Sequence, residues 1–126
     1  MIFDASSLYI LLKRGELRTL SESTTLDLAF YEVGNSLVKE LRRKLVTSES
    51  FASMLEVLGR VSELMAVRNF GSLDAERVST LSRSAGITFY DASYLALALA
   101  SKEGLATNDL ELKREAQKLG VKVISI

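Results

Sequence analysis

The sequence predicts an α/β protein with three layers, α/β/α, in which a central, mostly parallel sheet of about five short strands lies between helices. Short β-like runs alternate along the chain with longer segments whose apolar residues recur at helical spacing. Such alternation is typical of parallel sheets, because each crossover between parallel strands needs a helix or a long connection. The 126 residues, 48% of them apolar, suit a single domain over residues 1–126.

The first half of the chain begins with a very short apolar strand at residues 1–3. A helix over residues 6–14 follows and is ended by Gly15. Residues 24–26 are a possible strand before a long helix over residues 27–44. The core stripe of that helix consists of Phe30, Val33, Leu37 and Leu41. Thr47 or Ser48 then caps a third helix that continues to about residue 67.

In the second half of the chain, predicted strands and helices follow one another at shorter intervals. A β-like run at residues 87–90 leads into an almost wholly apolar helix over residues 92–100, which we expect to be buried on most sides and to end at Gly104. The other predicted elements are strands at residues 67–70, 105–107 and 121–126 and helices at residues 74–85 and 109–119, stopped by Gly86 and Gly120.

The composition excludes several classes of site. The chain has no Cys and no His, so thiolate zinc sites, disulfides, Cys nucleophiles and Ser-His-Asp triads are impossible. The 16 basic and 16 acidic residues balance, so any nucleic-acid contact must come from a local patch. The start Met-Ile-Phe-Asp does not look like a signal peptide, and no apolar run is long enough for a membrane span. We therefore expect a cytoplasmic protein.

Four acidic residues, Asp4, Glu32, Asp91 and Asp109, are placed where strands are predicted to pass into helices. The carboxyl ends of parallel strands meet at one crevice, so these side chains are expected to lie together. Carboxylates that crowd in this way repel one another unless a cation lies between them, and Mg²⁺ and Mn²⁺ prefer oxygen ligands. The pattern therefore predicts a metal-dependent enzyme.

Each acid also has a simpler interpretation. An Asp at a helix start, such as Asp4, Asp91 or Asp109, is commonly an N-cap. Glu32 lies almost opposite the core stripe of its helix, which suits an exposed side chain equally well. The joint pattern therefore carries more weight than any one residue.

The chain resembles the PIN-domain ribonucleases, most closely the small toxins of VapBC toxin–antitoxin pairs. Four segments carry the resemblance in the same order: MIFDASSL from residue 1, YEVGNSL from residue 31, YDASYLALA from residue 90 and ATNDLEL from residue 106. The resemblance spans essentially the whole chain and implies a PIN-like fold. It also implies that Asp4, Glu32, Asp91 and Asp109 form the catalytic, metal-binding pocket.

The same resemblance implies that Thr107 lies beside the pocket, with Ser6 and Asn35 as hydrogen-bonding supports. It implies an endoribonuclease that uses Mg²⁺ or Mn²⁺ to hydrolyse phosphodiester bonds of single-stranded or structured RNA. A cognate antitoxin is the implied protein partner, and a homodimer is expected because small domains commonly form two-fold assemblies.

A basic cluster late in the second helix comprises Lys39, Arg42, Arg43 and Lys44. It is either a solvated helix end, favoured by the helix dipole, or an edge that contacts RNA phosphates. Three tyrosines, Tyr31, Tyr90 and Tyr94, either stack on bases or are buried near the sheet edge.

Two other functions are open at this point. A receiver-like phosphoacceptor domain also clusters acids at strand ends, but Asp4 has no acidic neighbour and no Lys follows the late strand before Asp109. A non-catalytic module that binds RNA or protein on the same scaffold is the other alternative. The presence of all four acids argues against a decayed site.

Overall fold

Five short strands pair in parallel at the centre of the computed structural model, which describes residues 1–126. The strands are β1 (Ile2–Phe3), β2 (Thr24–Leu26), β3 (Ala66–Arg68), β4 (Leu105–Ala106) and β5 (Val123–Ile124). The helices are α1 (Ala5–Arg14), α2 (Asp27–Arg42), α3 (Ser48–Leu64), α4 (Ala75–Ala85), α5 (Phe89–Ser101) and α6 (Leu110–Lys118). Short 3₁₀ turns occur at Arg18–Glu22 and Phe70–Ser72. The predicted α/β fold with about five strands is confirmed.

The strand order is β3-β2-β1-β4-β5, so the chain builds outward from β1 in one direction and then in the other. Ile2 of β1 pairs with Thr24 on one side and with Leu105 on the other. The crevice between β1 and β4 is therefore the point where the strand order reverses. Ligands of open α/β sheets bind at such a switch point, beyond the carboxyl ends of the strands.

Helix α5 is buried on almost every side, as the sequence predicts. Every residue from 92 to 98 is buried, and Tyr94 is the largest fully buried side chain. The helix packs against α4 and against β1 at the centre of the sheet. Its position brings the residues of its first turn to the carboxyl edge of the strands.

The β-like run at residues 87–90 is not a strand, which corrects one prediction. Thr88 caps α5, and its Oγ1 accepts a hydrogen bond of 3.0 Å from the backbone N of Asp91. The helix already includes Phe89, because the Thr88 side chain satisfies one of the free backbone N–H groups in the first turn of α5. The C-cap of α5 is Lys102, in a left-handed conformation with φ 54°, rather than Gly104.

The other boundaries move by a few residues. The third helix is shorter than predicted and ends at Leu64. Ala66 and Val67, which the pattern had assigned to this helix, belong to β3. Gly15 and Gly86 end α1 and α4 with φ 70° and 68°, as predicted from their freedom to adopt positive φ. No helix has the length and apolar character needed to span a membrane.

Candidate active site

Asp4 is held more firmly than the other predicted acidic residues. It directly follows β1, is only 3% exposed, and caps α1 by accepting a hydrogen bond of 2.9 Å from the backbone N of Ser7. The Ser6 hydroxyl donates to the same oxygen, Oδ1, at 2.7 Å, and the Thr107 hydroxyl donates to Oδ2. Because three donors surround this carboxylate, its orientation is set by the fold itself.

The loop after β4 is fastened to the same carboxylate through Thr107. The Thr107 hydroxyl donates to Asp4 and accepts a hydrogen bond of 3.1 Å from the backbone N of Asp109. Asp109 in turn caps α6 by accepting from the backbone N of Leu112 at 2.8 Å. Thr107 therefore joins the ends of two neighbouring strands and places Asp4 and Asp109 at the same edge of the sheet.

Glu32 is half-buried, so its interpretation as an exposed side chain is wrong. Its Oε1 accepts a hydrogen bond of 2.9 Å from the hydroxyl of Tyr94. Burial raises the pKa of Glu32, the hydrogen bond from Tyr94 lowers it, and the charge of Asp4 raises it, with a net increase. Burial and the negative charge of Glu32 together raise the pKa of Tyr94, so its hydroxyl stays a proton donor.

Asp91 lies in the first turn of α5 and is not the N-cap that its position had suggested. Burial first, and then the charges of Asp109, Asp4 and Glu32 in that order, raise the pKa of Asp91 to about 6. Three acids from three other segments thus act on this one carboxyl group. The four predicted acids share one electrostatic environment, here called the carboxylate cleft (Asp4, Glu32, Asp91 and Asp109).

The carboxylate cleft is not a preformed cation cage. No group of three or more acidic side chains is arranged to hold a metal ion directly. Electrostatic repulsion between carboxylates acts over several ångströms, whereas an Mg²⁺–oxygen bond is about 2.0–2.1 Å long, so the two observations are compatible. The donor set itself consists of carboxylate and hydroxyl oxygens, which suit hard divalent cations such as Mg²⁺ or Mn²⁺.

The remaining predicted residues are divided between the cleft and its surroundings. A cavity of about 490 Å³ adjoins the cleft and is lined by Ser6, Glu32, Asn35 and Lys39, among others. Asn35 lies one helical turn after Glu32 but makes no hydrogen bond through its side chain. A larger cavity, of about 800 Å³ beside the end of α1, contains none of the four acids.

The basic cluster at the end of α2 is exposed, and none of its members joins any of the ion pairs of the chain. Lys39 is the member that lines the cavity beside Glu32. Arg42, Arg43 and Lys44 lie at or beyond the last residue of the helix. The cluster therefore remains free to contact a ligand, with Lys39 nearest to the cleft.

Sequence reasoning missed the role of two buried residues. Of the two interpretations of Tyr94, burial is correct, since it is 1% exposed, but its hydrogen bond to Glu32 was not predicted. The available signal was its spacing, since it lies three residues after Asp91 and so on the same helix face. Ser7 occupies the third helical position after the Asp4 cap, and its hydroxyl donates to the backbone oxygens of Asp4 and Ala106.

Comparison with known proteins agrees with this geometry, although no protein-family model matches the chain. The chain is 35% identical to ribonuclease VapC3 of Pyrobaculum aerophilum over 120 residues, which cover 89% of this chain and 91% of the relative. The crystal structure of PAE2754 from Pyrobaculum aerophilum is similar with a TM-score of 0.81 and 30% identity, over 97% of this chain and 81% of the other. The chain belongs to the VapC family of PIN-domain ribonucleases.

Proposed function

We propose that this protein is a Mg²⁺- or Mn²⁺-dependent endoribonuclease that acts as the toxin of a toxin–antitoxin pair. The observation that carries the proposal is the gathering of four acids at the switch point between β1 and β4, where Thr107 joins Asp4 to the backbone of Asp109 and where burial and the other three acids raise the pKa of Asp91 to about 6. Strongly perturbed carboxyl groups gathered at a switch point are typical of catalytic sites. The ribonuclease name of the 35% identical relative supports the same reaction.

The acids of the cleft differ in how firmly they are held and in their pKa values. Asp4 is fixed by its donors, so it suits the role of an anchor for the cation, with Asp109 beside it. Asp91 and Glu32 carry raised pKa values, and a cation bound beside them would lower both by favouring the charged carboxylates. A Mg²⁺ or Mn²⁺ ion held by these carboxylates would supply an activated water and neutralise charge on the scissile phosphate.

RNA reaches the cleft along its basic side in this proposal. Lys39 lines the cavity next to Glu32 and is placed to contact a phosphate that neighbours the scissile one. Arg42, Arg43 and Lys44 extend this positive edge. Asn35 and Ser6 line the same cavity and offer hydrogen bonds to the sugar–phosphate backbone.

The partner that we propose is an antitoxin with a basic side chain that enters the carboxylate cleft. An Arg guanidinium pairs with two carboxylate oxygens at once and would take the place of the cation. We also propose that the toxin is a homodimer, which would set two clefts in a fixed relation.

The test is cleavage of labelled single-stranded and stem-loop RNA by the wild type and by Asp4→Asn and Asp91→Asn. With Mg²⁺ or Mn²⁺, we expect the wild type to cut internally and each variant to lose roughly 100-fold or more of the rate, because a metal contributes several kcal/mol to such a reaction. Excess EDTA should abolish the wild-type activity.

Glu76→Gln is the matched control, because it removes an exposed acid from the first turn of α4, a helix that carries none of the four acids. It should cut RNA at the wild-type rate, and circular dichroism should show that all variants are folded. Cleavage that survives both cleft substitutions, or that persists in EDTA, would refute the metal mechanism. A wild type that binds RNA without cutting it would favour the non-catalytic module.

A further inference from the structure

A second surface feature lies beside the carboxylate cleft and has no role in the reaction described above. It is an open groove of about 320 Å³, lined by nine residues, of which seven are hydrophobic. Four of its lining residues are aromatic and define it here as the aromatic groove: Tyr31, Phe70, Phe89 and Tyr90. The whole chain has only five Phe and four Tyr, so almost half of its aromatic residues meet at this one place.

The four rings are unusually exposed for aromatic side chains. Tyr31 is 77% exposed, Tyr90 58% and Phe70 57%. Phe70 and Phe89 contact each other with ring centroids 6.3 Å apart and planes tilted by 37°, a favourable pair that fixes one side of the groove. The two tyrosines pair with no other ring, and their hydroxyls make no hydrogen bond within the chain. Their ring faces are thus available to a ligand.

Two residues of the groove are next to two acids of the carboxylate cleft in the sequence. Tyr31 directly precedes Glu32 on α2, and Tyr90 directly precedes Asp91 on α5. Adjacent Cα atoms are about 3.8 Å apart, so the backbone of each tyrosine lies next to that of an acid of the cleft. The two side chains of each pair lie on neighbouring faces of the same helix. If an RNA strand is held at the cleft by one phosphate, its neighbouring nucleotides lie within reach of these rings.

The chemistry of the groove favours a nucleobase as the occupant. Asp27 is the only charged residue in its lining, so the groove repels a phosphate but accepts a neutral, planar ring. Aromatic side chains on which bases stack are a recurrent means of holding single-stranded nucleic acid. A protein partner fits less well, since a stable protein–protein interface needs about 20–30 residues on each side and the groove has nine.

We propose that the aromatic groove binds an unpaired base of the RNA strand whose phosphate lies at the carboxylate cleft, with Tyr31 and Tyr90 as the stacking residues. The inference rests on the proposed ribonuclease function and assigns to it a preference for single-stranded substrate. A base in a duplex is already stacked on its neighbours and cannot enter the groove. The tyrosines thus select an unpaired position next to the cut.

The experiment compares the wild type with Tyr31→Leu, Tyr90→Leu and the double variant. Leucine keeps an apolar side chain but offers no ring face. Binding is measured by fluorescence anisotropy with a labelled single-stranded RNA in EDTA and again with Ca²⁺. Base stacking is worth about 1–3 kcal/mol per base, so the double variant should bind roughly 5- to 100-fold more weakly. An RNA of abasic residues should bind the wild type and the double variant equally.

Phe51→Leu is the matched control, because this partly buried ring on α3 lies outside both the groove and the cleft. It should bind RNA as the wild type does. Binding of the double variant within twofold of the wild type would overturn the proposal, as would the absence of any RNA binding by the wild type. A double variant that binds RNA normally but loses subunit association in light scattering would assign the groove to a protein contact instead.

The outcome is distinguishable from a failure of the proposed function. If the wild type does not cut RNA but the tyrosine variants bind RNA more weakly, the base-binding site is supported and the nuclease function is contradicted. If the wild type cuts RNA in a metal-dependent way and the tyrosine variants bind and cut normally, the nuclease function is supported and the base-binding site is contradicted.

Discussion

The hydroxyl of Tyr94 on α5 donates a hydrogen bond of 2.9 Å to Oε1 of Glu32 on α2. The bond joins two helices that approach the sheet from different parts of the chain, 62 residues apart in sequence. It fixes one oxygen of Glu32 and leaves the other free for a ligand. Partners of this kind orient metal-binding carboxylates and commonly control the affinity of the site.

Tyr94→Phe should therefore impair the site while keeping the packing of the ring. We expect about tenfold weaker Mn²⁺ binding or slower RNA cleavage. Loss of the donor also raises the pKa of Glu32 further, so Mn²⁺ binding should need a higher pH. Isothermal titration calorimetry at several pH values measures both effects. Tyr90→Phe is the control for Mn²⁺ binding, because the exposed hydroxyl of Tyr90 makes no hydrogen bond. Equal Mn²⁺ binding by the two variants would show that the Tyr94 bond has no effect on the site.

Asp91 should make the metal-free protein less stable as the pH rises. Its pKa is 3.8 in the unfolded chain and about 6 in the fold, so the folded state binds more protons between these values. The stability that protonation provides is fully present below about pH 4 and is lost as the pH rises through about 6. Asp91→Asn removes this loss.

The measurement is the melting temperature of the wild type and of Asp91→Asn in EDTA, from about pH 4 to about pH 7.5. The difference between variant and wild type should increase in favour of the variant across this range and level off above it. A difference that is constant with pH would mean that Asp91 titrates as it does in the unfolded chain.

Thr107→Val should destabilise the protein by about 1–3 kcal/mol, because valine keeps the shape but removes a buried hydroxyl. The substitution leaves an oxygen of Asp4 and the backbone N of Asp109 without their partner. Urea denaturation measures the change in the free energy of unfolding. Thr80→Val, on the exposed surface of α4, should stay within about 0.5 kcal/mol of the wild type; a similar loss in both would show that the Thr107 contacts are not important for stability.

A peptide with an arginine should compete with Mn²⁺ for the carboxylate cleft. Its guanidinium pairs with the same carboxylate oxygens that bind the cation. We expect the apparent affinity for Mn²⁺ to fall as the peptide concentration increases, and the inhibition of RNA cleavage to weaken at high Mn²⁺. The same peptide with citrulline in place of arginine is the control. Inhibition that does not depend on the metal concentration would exclude competition at the cleft.

The free protein should be a homodimer in solution. Light scattering is expected to give about twice the monomer mass of 13.9 kDa at micromolar concentration. A strict monomer under these conditions would contradict the proposed assembly, while the chemistry of the cleft within each chain would be unaffected.

The alternation of apolar runs and helical stripes was enough to predict the α/β class, the five strands and most of the helices. The helix ends at Gly15 and Gly86 and a cap at Thr47 or Ser48, which proves to be Thr47, were also predictable, because each depends on a local backbone or side-chain property. The buried helix α5 followed from an apolar run without a polar face. These features are properties of short segments and need no knowledge of what packs against them.

Only the tertiary structure decided how the acids relate to one another. Asp91 follows no strand, and Glu32 is turned from solvent to the cleft by a bond to Tyr94, a partner 62 residues away. Tyr94 lies in the apolar run that predicted a buried helix, whereas Tyr31 and Tyr90 each precede an acid, but the sequence does not show that Tyr94 donates to Glu32. Burial, and the charges that it brings together, arise when the strands and helices assemble. For that reason the sequence determined the set of carboxylates, and packing determined their hydrogen-bond partners and the raised pKa values of Glu32 and Asp91.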